Sequence, residues 1–277
     1  MKAIRLFALL LKKIIFWILR LIVFYVANPK KIISTYKTKI KSYEDNLLNS
    51  HWRNSRHILA NLPKVNSEFY KQNIKLSEVE HQVGRYLNMK DIISEIKKEN
   101  IEGDVLEFGT WQGLSLLILS KLFADSNRKF IGIDSFEGLP ETSTIWTKGA
   151  FSNTTYNLAL QNISEHCFNK QSFKLIKGWF NDKSVADSLY NETSNICLIH
   201  FDADLGSSTS QALKIIEPYL KNRNKPIYFL FDDWGCHQDE VPESFLEWLK
   251  TKQFIYNFSA HKISTTRLTR YYKIIYN

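Results

Sequence analysis

Residues 104–134 read DVLEFGTWQGLSLLILSKLFADSNRKFIGID, and this stretch decides the fold. Asp104–Phe108 is a short apolar run typical of a buried strand, and Leu114–Phe123 has the length and apolar character of a packed helix. Lys129–Asp134 is a second apolar run of strand length. A strand, a glycine-containing turn, a helix and another strand predict two parallel strands joined by a crossover helix.

The same alternation continues toward the C-terminus. It predicts strands at Phe173–Gly178, Ile196–Phe201 and Pro226–Phe231, helices at Thr209–Leu220 and Pro242–Lys250, and candidate last strands at Phe254–Phe258 and Arg270–Tyr276. We therefore expect an α/β fold, a Rossmann-like, doubly wound and mostly parallel sheet with helices on both faces. Ligands of such sheets bind at the carboxyl ends of the strands.

The composition is that of an ordinary globular protein. Of 277 residues, 44% are hydrophobic and 23% are charged, which excludes a mainly disordered chain and a collagen. The cysteines Cys167, Cys197 and Cys236 have no metal-binding or redox spacing. Their odd number indicates free thiols in a reducing compartment.

The net charge of +9 is concentrated near the N-terminus. Residues 1–60 hold 12 Lys and Arg against Glu44 and Asp45 only, whereas residues 61–277 hold 25 Lys and Arg against 26 Asp and Glu. A nucleic-acid enzyme would more often spread basic residues over its folded face. A basic end on a near-neutral domain favours an anionic membrane surface as the partner and argues against nucleic acid.

Residues 1–28 have the pattern of an amphipathic helix. Their basic residues fall within an arc of about 100° on a helix, and leucines, isoleucines and aromatic residues occupy much of the remainder. We expect this helix to lie in the membrane interface. A spanning helix and a helix docked on protein are the alternatives, but the longest uncharged run, Leu21–Pro29, is far short of the roughly 20 residues that spanning needs. Residues 29–79 are interpreted as a helical linker or cap, and residues 80–277 as the folded domain.

Two polar motifs follow the first two strands. Gly109 and Gly113 stand in the turn after the first strand, where glycine lets the backbone approach a ligand closely. No G-x-G-x-x-G is present, so a nicotinamide dinucleotide is not indicated. Asp134 ends the second strand, a position from which a carboxylate can accept hydrogen bonds from both ribose hydroxyls.

Four carboxylates follow the next pair of central strands. Asp202 and Asp204 come after the fourth strand, and Asp232 and Asp233 come after the fifth. If these strand ends adjoin, the carboxylates repel each other unless a cation neutralises them, and oxygen ligands suit Mg²⁺, Mn²⁺ or Ca²⁺. Separate helix caps are the alternative. His237 faces the cleft or is a solvated loop histidine.

Five motifs together carry a family resemblance. EFGTWQG, DSFEGLP, KGWF, FDADLGSST and FDDWG resemble, in order and spacing, the macrocin O-methyltransferase family of S-adenosylmethionine-dependent enzymes over roughly residues 80–250. The resemblance implies a class I methyltransferase fold with a Mg²⁺ site. One departure is Gly206-Ser207, where the family usually has an aromatic residue and an acid, and this puts the acceptor sugar in question.

The resemblance also assigns roles to the residues of these motifs. It places the cofactor at Glu107, Gly109, Thr110 and Gly113 (methionine part), Asp134 and Ser135 (ribose), and Gly178 and Trp179 (adenine). It places the metal at Asp202, Asp232 and Asp233, with Asp204 beside them. Asp204 and His237 are the two candidates for the general base.

The predicted function is Mg²⁺-dependent O-methylation of a sugar hydroxyl on a glycan, glycolipid or glycosylated natural product. The N-terminal helix predicts that the enzyme acts at the cytoplasmic face of the membrane, on an acceptor that is lipid-linked or made there. Whether the protein forms homo-oligomers stays open. A membrane-anchored glycosyltransferase is the main rival, because Asp202 and Asp204 also form a D-x-D motif. A non-catalytic membrane scaffold of the same fold is the second rival.

Overall fold

The computed structural model describes residues 76–123, 127–144, 146–167, 172–221, 223–234, 240–253, 255–262 and 269–276. The predicted N-terminal helix (1–28), nearly all of the predicted linker (29–79), Cys236 and His237 lie outside these residues. Across the part described, every helix falls short of the length and apolar character that crossing a membrane requires.

Seven strands form one sheet in the order β3-β2-β1-β4-β5-β7-β6. Their bounds are β1 Asp104–Phe108, β2 Lys129–Asp134, β3 Ser172–Lys177, β4 Ile196–Phe201, β5 Ile227–Phe231, β6 Phe258–Lys262 and β7 Arg270–Tyr276. The first five strands are parallel, whereas β7 is antiparallel to both of its neighbours. The predicted mostly parallel sheet is confirmed, and the strand order reverses between β1 and β4.

Six α-helices cover the two faces of the sheet in the described residues. They are α1 Leu76–Lys98, α2 Leu114–Leu122, α3 Tyr156–His166, α4 Lys183–Glu192, α5 Gly206–Ile216 and α6 Glu240–Lys252. Helices α1 to α3 share one buried core, and α4 to α6 share the other. Side chains of a strand alternate between faces, so Val105 packs in the first core and Leu106 in the second. This arrangement is the doubly wound architecture.

Helix α1 extends the domain beyond the strands and helices of the sequence prediction. Its buried residues Tyr86, Met89, Ile93 and Ile96 recur at helical spacing and face the first core. Asn88, buried on the same helix, donates a hydrogen bond to Thr269 just before β7. The helix is therefore packed against the sheet and not a loose connection.

Three details differ from the sequence prediction. Of the strand predicted at Phe254–Phe258, Ile255 and Tyr256 lie in a turn, because their amides bond back to the Lys252 carbonyl where α6 ends; β6 begins only at Phe258. The predicted helix Thr209–Leu220 begins earlier, at Gly206, and its last residues form a separate 3-10 turn. Helices α3 and α4 were not predicted, because each buries only two residues and leaves a weak apolar pattern.

Candidate cofactor and metal site

A cavity of about 340 Å³ opens at the carboxyl ends of the central strands, where the strand order reverses. Ligands of doubly wound sheets bind at this place. The predicted site residues that line it are Gly109, Thr110, Asp134, Ser135, Gly178, Trp179, Asp202, Asp204, Asp232 and Asp233. Most of the predicted site is thus brought together in one cavity.

The turn after β1 is shaped by Gly109. Its φ is +88°, and a Cβ built there would lie 1.7 Å from the carbonyl oxygen of Asp202. The glycine therefore lets the turn pack against the end of β4, in addition to any approach to a ligand. Gly113 also has φ +88°, but it does not line the cavity; a Cβ there would lie 2.8 Å from Ile163 of α3.

Glu107 lies beneath the cavity and does not line it. Its carboxylate is fully buried and contacts Nδ1 of His200, also fully buried, at 2.9 Å. Burial lowers the pKa of His200, but the hydrogen bond and charge of Glu107 outweigh burial and raise it. The pair joins β1 to β4. The contact of Glu107 with a cofactor stays a prediction.

Asp134 is held at the cavity by two backbone amides. Its Oδ2 accepts from the Trp111 amide at 2.7 Å, and its Oδ1 accepts from the Phe136 amide at 2.6 Å. Burial raises the pKa of this carboxyl, and the two amides partly counter it. Each oxygen keeps a further lone pair, so the carboxylate can still accept hydroxyl protons.

The loop beyond β3 closes the same end of the cavity. Gly178 has φ +151°, and the Trp179 amide donates to Asp182 Oδ2 at 3.0 Å. The Gly178 amide also donates to the Asp134 carbonyl at 2.9 Å, so the loop lies beside the end of β2. The contacts of Gly178 and Trp179 with adenine stay a prediction.

Four aspartates form an acidic rim on the other side of the cavity. Asp202, Asp204, Asp232 and Asp233 follow β4 and β5, which are neighbours in the sheet. The Asp204 amide donates to Asp233 Oδ2 at 3.3 Å. Asp204 has φ +57°, a left-handed conformation that is uncommon outside glycine and is often found at functional sites.

Two basic side chains from α1 reach this rim. Arg85, 9% exposed, donates from Nη1 to Asp202 Oδ2 at 3.1 Å and to Asp232 Oδ2 at 2.9 Å. His81 Nε2 lies 3.1 Å from Asp232 Oδ2. Sequence reasoning missed both residues. Their only signal was a histidine and an arginine four apart on one helix.

The rim holds more negative charge than its neighbours balance. Burial and the neighbouring aspartates raise the pKa values of Asp202, Asp204 and Asp233 well above their ordinary range. Burial acts on Asp232 as well, but Arg85 and His81 outweigh it and lower its pKa. A further cation at the rim would relieve this repulsion.

The donor atoms at the rim fit a divalent cation. Two groups have ligand atoms within 4.8 Å of one another, His81 with Asp232 and Asp233, and His200 with Asp202 and Asp232. Asp232 is 2% exposed, and its Oδ1 has no hydrogen-bond partner among the residues described. A buried carboxylate oxygen without a hydrogen-bond partner is suited to bind a metal ion.

Aromatic side chains that the sequence analysis did not single out form one wall of the cavity. Phe151 lies between Trp146, with ring centroids 4.8 Å apart, and Trp111, at 6.2 Å. Leu139 and Pro140 lie beside them along the cavity. The cavity thus combines an acidic rim with a large apolar surface.

The fold and the position of the cavity define a class I methyltransferase fold. Two solved structures share it: the O-methyltransferase NovP, with a TM-score of 0.54 at 16% identity over 69% of this chain and 79% of that one, and the calicheamicin methyltransferase CalS11, with a TM-score of 0.55 at 19% identity over 77% and 91%. At these identities the likeness establishes the fold.

The macrocin-O-methyltransferase (TylF) family model matches residues 36–256, and the chain belongs to this family. The match begins at residue 36, whereas the motif resemblance covered roughly residues 80–250, so residues 36–79 also belong to the matched region. A curated relative from Streptomyces olivaceus, 8-demethyl-8-(2,3-dimethoxy-alpha-L-rhamnosyl)-tetracenomycin-C 4'-O-methyltransferase, is 23% identical over 161 residues. That match spans 53% of this chain and 59% of the relative.

Proposed function

We propose that the protein is an S-adenosylmethionine-dependent O-methyltransferase that acts on a sugar hydroxyl. One observation carries the proposal: the same cavity is lined by Asp134 and by the acidic rim. Two backbone amides fix the carboxylate of Asp134. A nucleoside would be held at one side and an acceptor oxygen at the other. Family membership supports the same chemistry.

The cofactor contacts are proposed from the motif positions. Asp134 accepts the ribose hydroxyls, Ser135 adjoins it, and Gly178 and Trp179 lie beside the adenine. The methionine part follows the turn that contains Gly109 and Thr110. The cofactor sulfonium is cationic, so a cavity with unbalanced carboxylates favours its binding.

A divalent cation, Mg²⁺ in our sequence prediction, belongs at the rim. The predicted ligands Asp202, Asp232 and Asp233 all line the cavity there, and Asp232 Oδ1 is a buried oxygen without a hydrogen-bond partner among the described residues. Such a cation, when bound, lowers the pKa of an acceptor hydroxyl and fixes its oxygen.

Asp204 is the general base that this geometry favours. It lines the cavity beside the other aspartates, and burial and their charges raise the pKa of its carboxyl. A raised pKa brings a carboxylate closer to the proton affinity that a general base needs. It would take the hydroxyl proton as the acceptor oxygen attacks the methyl group, while the methyl–sulfur bond breaks and S-adenosylhomocysteine leaves. His237, the alternative base, lies outside the residues described.

The acceptor is proposed to be a sugar unit of a glycan, glycolipid or glycosylated natural product. The curated relative is named for methylation of a rhamnosyl compound, which supports a deoxysugar-like acceptor. Gly206 stands where the family usually has an aromatic residue, and a Cβ there would lie 2.8 Å from the Glu240 carbonyl. The aromatic contact is instead proposed to come from Trp146 and Phe151.

We also propose that residues 1–28 bring the enzyme to the cytoplasmic face of the membrane, where a lipid-linked acceptor is made. The support is the sequence pattern of a basic, apolar helix. Deleting residues 1–28 should move the protein from the membrane fraction to the supernatant of lysed cells. Unchanged fractionation would contradict membrane binding by this segment.

The function is tested by methyl transfer. We expect the full-length protein with labelled S-adenosylmethionine to methylate a rhamnoside, a nucleotide-linked deoxysugar or a glycolipid extract, detected by mass spectrometry. Asp204→Asn should slow turnover about 10²–10⁴-fold and leave cofactor affinity within a few-fold. Exposed Asp187, changed to Asn, is the matched control. Full turnover by Asp204→Asn would exclude this base.

A further inference from the structure

The loop between β2 and α3 folds back on itself beside the cavity. Within it, residues 138–144 and 146–151 are named the Trp146 loop below. The Leu139 amide donates to the Ala150 carbonyl at 2.8 Å, and the Ser143 amide donates to the Trp146 carbonyl at 2.8 Å. Bonds within the backbone of the loop therefore position Trp146.

The Trp146 loop presents an apolar surface to the cavity, which Leu139, Pro140, Trp146 and Phe151 all line. The ring of Phe151 packs against that of Trp146, with centroids 4.8 Å apart and planes at 62°. A sugar ring can place its C–H bonds against an aromatic ring, while its hydroxyl groups point outward from the ring edge. Trp146 thus suits a sugar whose hydroxyls must still reach the aspartates of the rim.

A hydrogen bond ties the Trp146 loop to the beginning of α5. Ser207 Oγ donates to Glu141 Oε1, across 66 positions of the chain, and both residues are exposed. Ser207 comes three residues after Asp204, the proposed base. The bond therefore joins the segment that carries Trp146 to the segment that carries the base. A hydroxyl that donates to a carboxylate makes a charge-assisted bond, which is stronger than a neutral one.

We propose that the ring of the acceptor sugar packs on Trp146, and that Glu141 and Ser207 are positioning residues that hold this surface beside Asp204. The inference rests on the proposed function, because it requires a sugar acceptor. It adds a residue that selects the acceptor and a pair that sets where the acceptor lies. The pair acts through Trp146 and does not touch the reacting atoms.

Acceptor kinetics of the full-length protein test the role of Trp146. They are measured at saturating S-adenosylmethionine with the rhamnoside and the nucleotide-linked deoxysugar. Trp146→Ala should raise the KM of the acceptor at least tenfold, with kcat within threefold and S-adenosylmethionine affinity within twofold of the wild type. Trp146→Phe keeps an aromatic face and should raise this KM less than threefold. Tyr190→Ala, which removes an exposed aromatic ring from α4, is the matched control.

A double-mutant cycle tests the positioning pair. Glu141→Ala and Ser207→Ala should each raise the acceptor KM about fivefold. The double variant should raise it no further, because either single change already breaks the bond. Ser207→Thr keeps the hydroxyl and should raise the KM less than Ser207→Ala. Single variants without effect, or effects that multiply in the double variant, would overturn the positioning role. Circular dichroism melting of each variant separates lost positioning from lost folding.

The possible failures can be told apart. An unchanged acceptor KM in Trp146→Ala would overturn the inference, while methyl transfer by the wild type would still stand. Weaker binding of S-adenosylmethionine in Trp146→Ala would assign the ring to the cofactor and would overturn the inference as well. A wild type that binds S-adenosylmethionine but methylates neither sugar would contradict the proposed function itself, and the inference with it.

Discussion

At the scale of single residues, the carboxylate of Asp134 is the group on which the proposed cofactor site depends most directly. Asp134 ends β2, and its two oxygens accept hydrogen bonds from the Trp111 and Phe136 amides. A charged carboxylate in two such bonds is rigid before any ligand arrives. Phe136 is two residues away, but Trp111 lies 23 residues earlier, in the turn after β1, so this orientation depends on the folded sheet as well as on the local chain.

Changing Asp134 to Asn should weaken binding of S-adenosylmethionine at least tenfold. The Asn side chain keeps one acceptor oxygen, but its NH₂ group faces a backbone N–H from which it cannot accept a hydrogen bond. Both the bonds that fix the side chain and the proposed ribose contact are therefore weakened. Isothermal titration calorimetry measures the affinity, with Asp187→Asn as the control. Unchanged affinity in Asp134→Asn would remove this residue from the cofactor site.

Gly109 offers a sharper test of the turn after β1. Gly109→Ala adds a Cβ 1.7 Å from the Asp202 carbonyl oxygen at φ +88°, so the turn and the end of β4 must separate. Gly149→Ala is a matched control, because Gly149 has φ +81° with nothing within 4 Å of its Cβ. The control should lose about 1–2 kcal/mol, the conformational cost alone.

Thermal unfolding compares these two variants. About 1–2 kcal/mol corresponds to a melting temperature roughly 2–8 °C lower in a domain of this size. Gly109→Ala should melt clearly lower than Gly149→Ala and should bind the cofactor poorly. Equal melting temperatures for both variants would contradict the tight approach of this turn to β4.

His81 and Arg85 could not be predicted, although they complete the rim. Arg85 contacts residues 117 and 147 positions away, and no local pattern encodes such a pairing. Glu107 also has a partner that the sequence did not predict, because the fold pairs it with His200 of β4, 93 residues away. In both cases the partner of a buried polar side chain comes from a distant part of the chain.

At the scale of helices and strands, the five parallel strands followed from their apolar runs. Strands buried on both faces have continuous apolar sequences, which PIYFLF and ICLIHF illustrate. Helices α3 and α4 were not predicted, because each has only two buried residues and therefore a weak apolar pattern. The strand misplaced at Phe254–Phe258 has the composition of a strand, but it lies where α6 ends.

The buried pair between β1 and β4 makes a prediction at this scale. Glu107→Gln keeps the side-chain shape but removes the charge that faces His200, and both residues are fully inaccessible to solvent. Breaking a buried ion pair by altering one partner typically costs about 3–5 kcal/mol. We expect the free energy of unfolding to fall by about 3 kcal/mol in urea titrations.

The exposed residue Glu165, changed to Gln, is the control for this experiment. It should alter the free energy of unfolding by less than about 0.5 kcal/mol. A similarly small effect of Glu107→Gln would contradict the contribution of a charged pair between Glu107 and His200 to stability.

At the scale of the whole molecule, the site is assembled from three sources. The parallel sheet supplies the turn after β1, the carboxylate of Asp134 and the acidic rim, and the sequence predicted the place of each at the end of a strand. Helix α1 supplies the basic residues at the rim, and the loop between β2 and α3 supplies Trp146 and Phe151. The last two come from segments whose place depends on the folded sheet, so sequence alone did not locate them.

The proposed function depends on what this cavity binds, and calorimetry with the full-length protein tests that directly. Titrations compare S-adenosylmethionine with a panel of nucleotide sugars, each with and without Mg²⁺ or Mn²⁺. We predict micromolar binding of S-adenosylmethionine, weakened at least tenfold in Asp134→Asn. Metal-dependent binding of a nucleotide sugar, with no heat from S-adenosylmethionine, would contradict the proposal and assign Asp202 and Asp204 to a glycosyltransferase D-x-D motif.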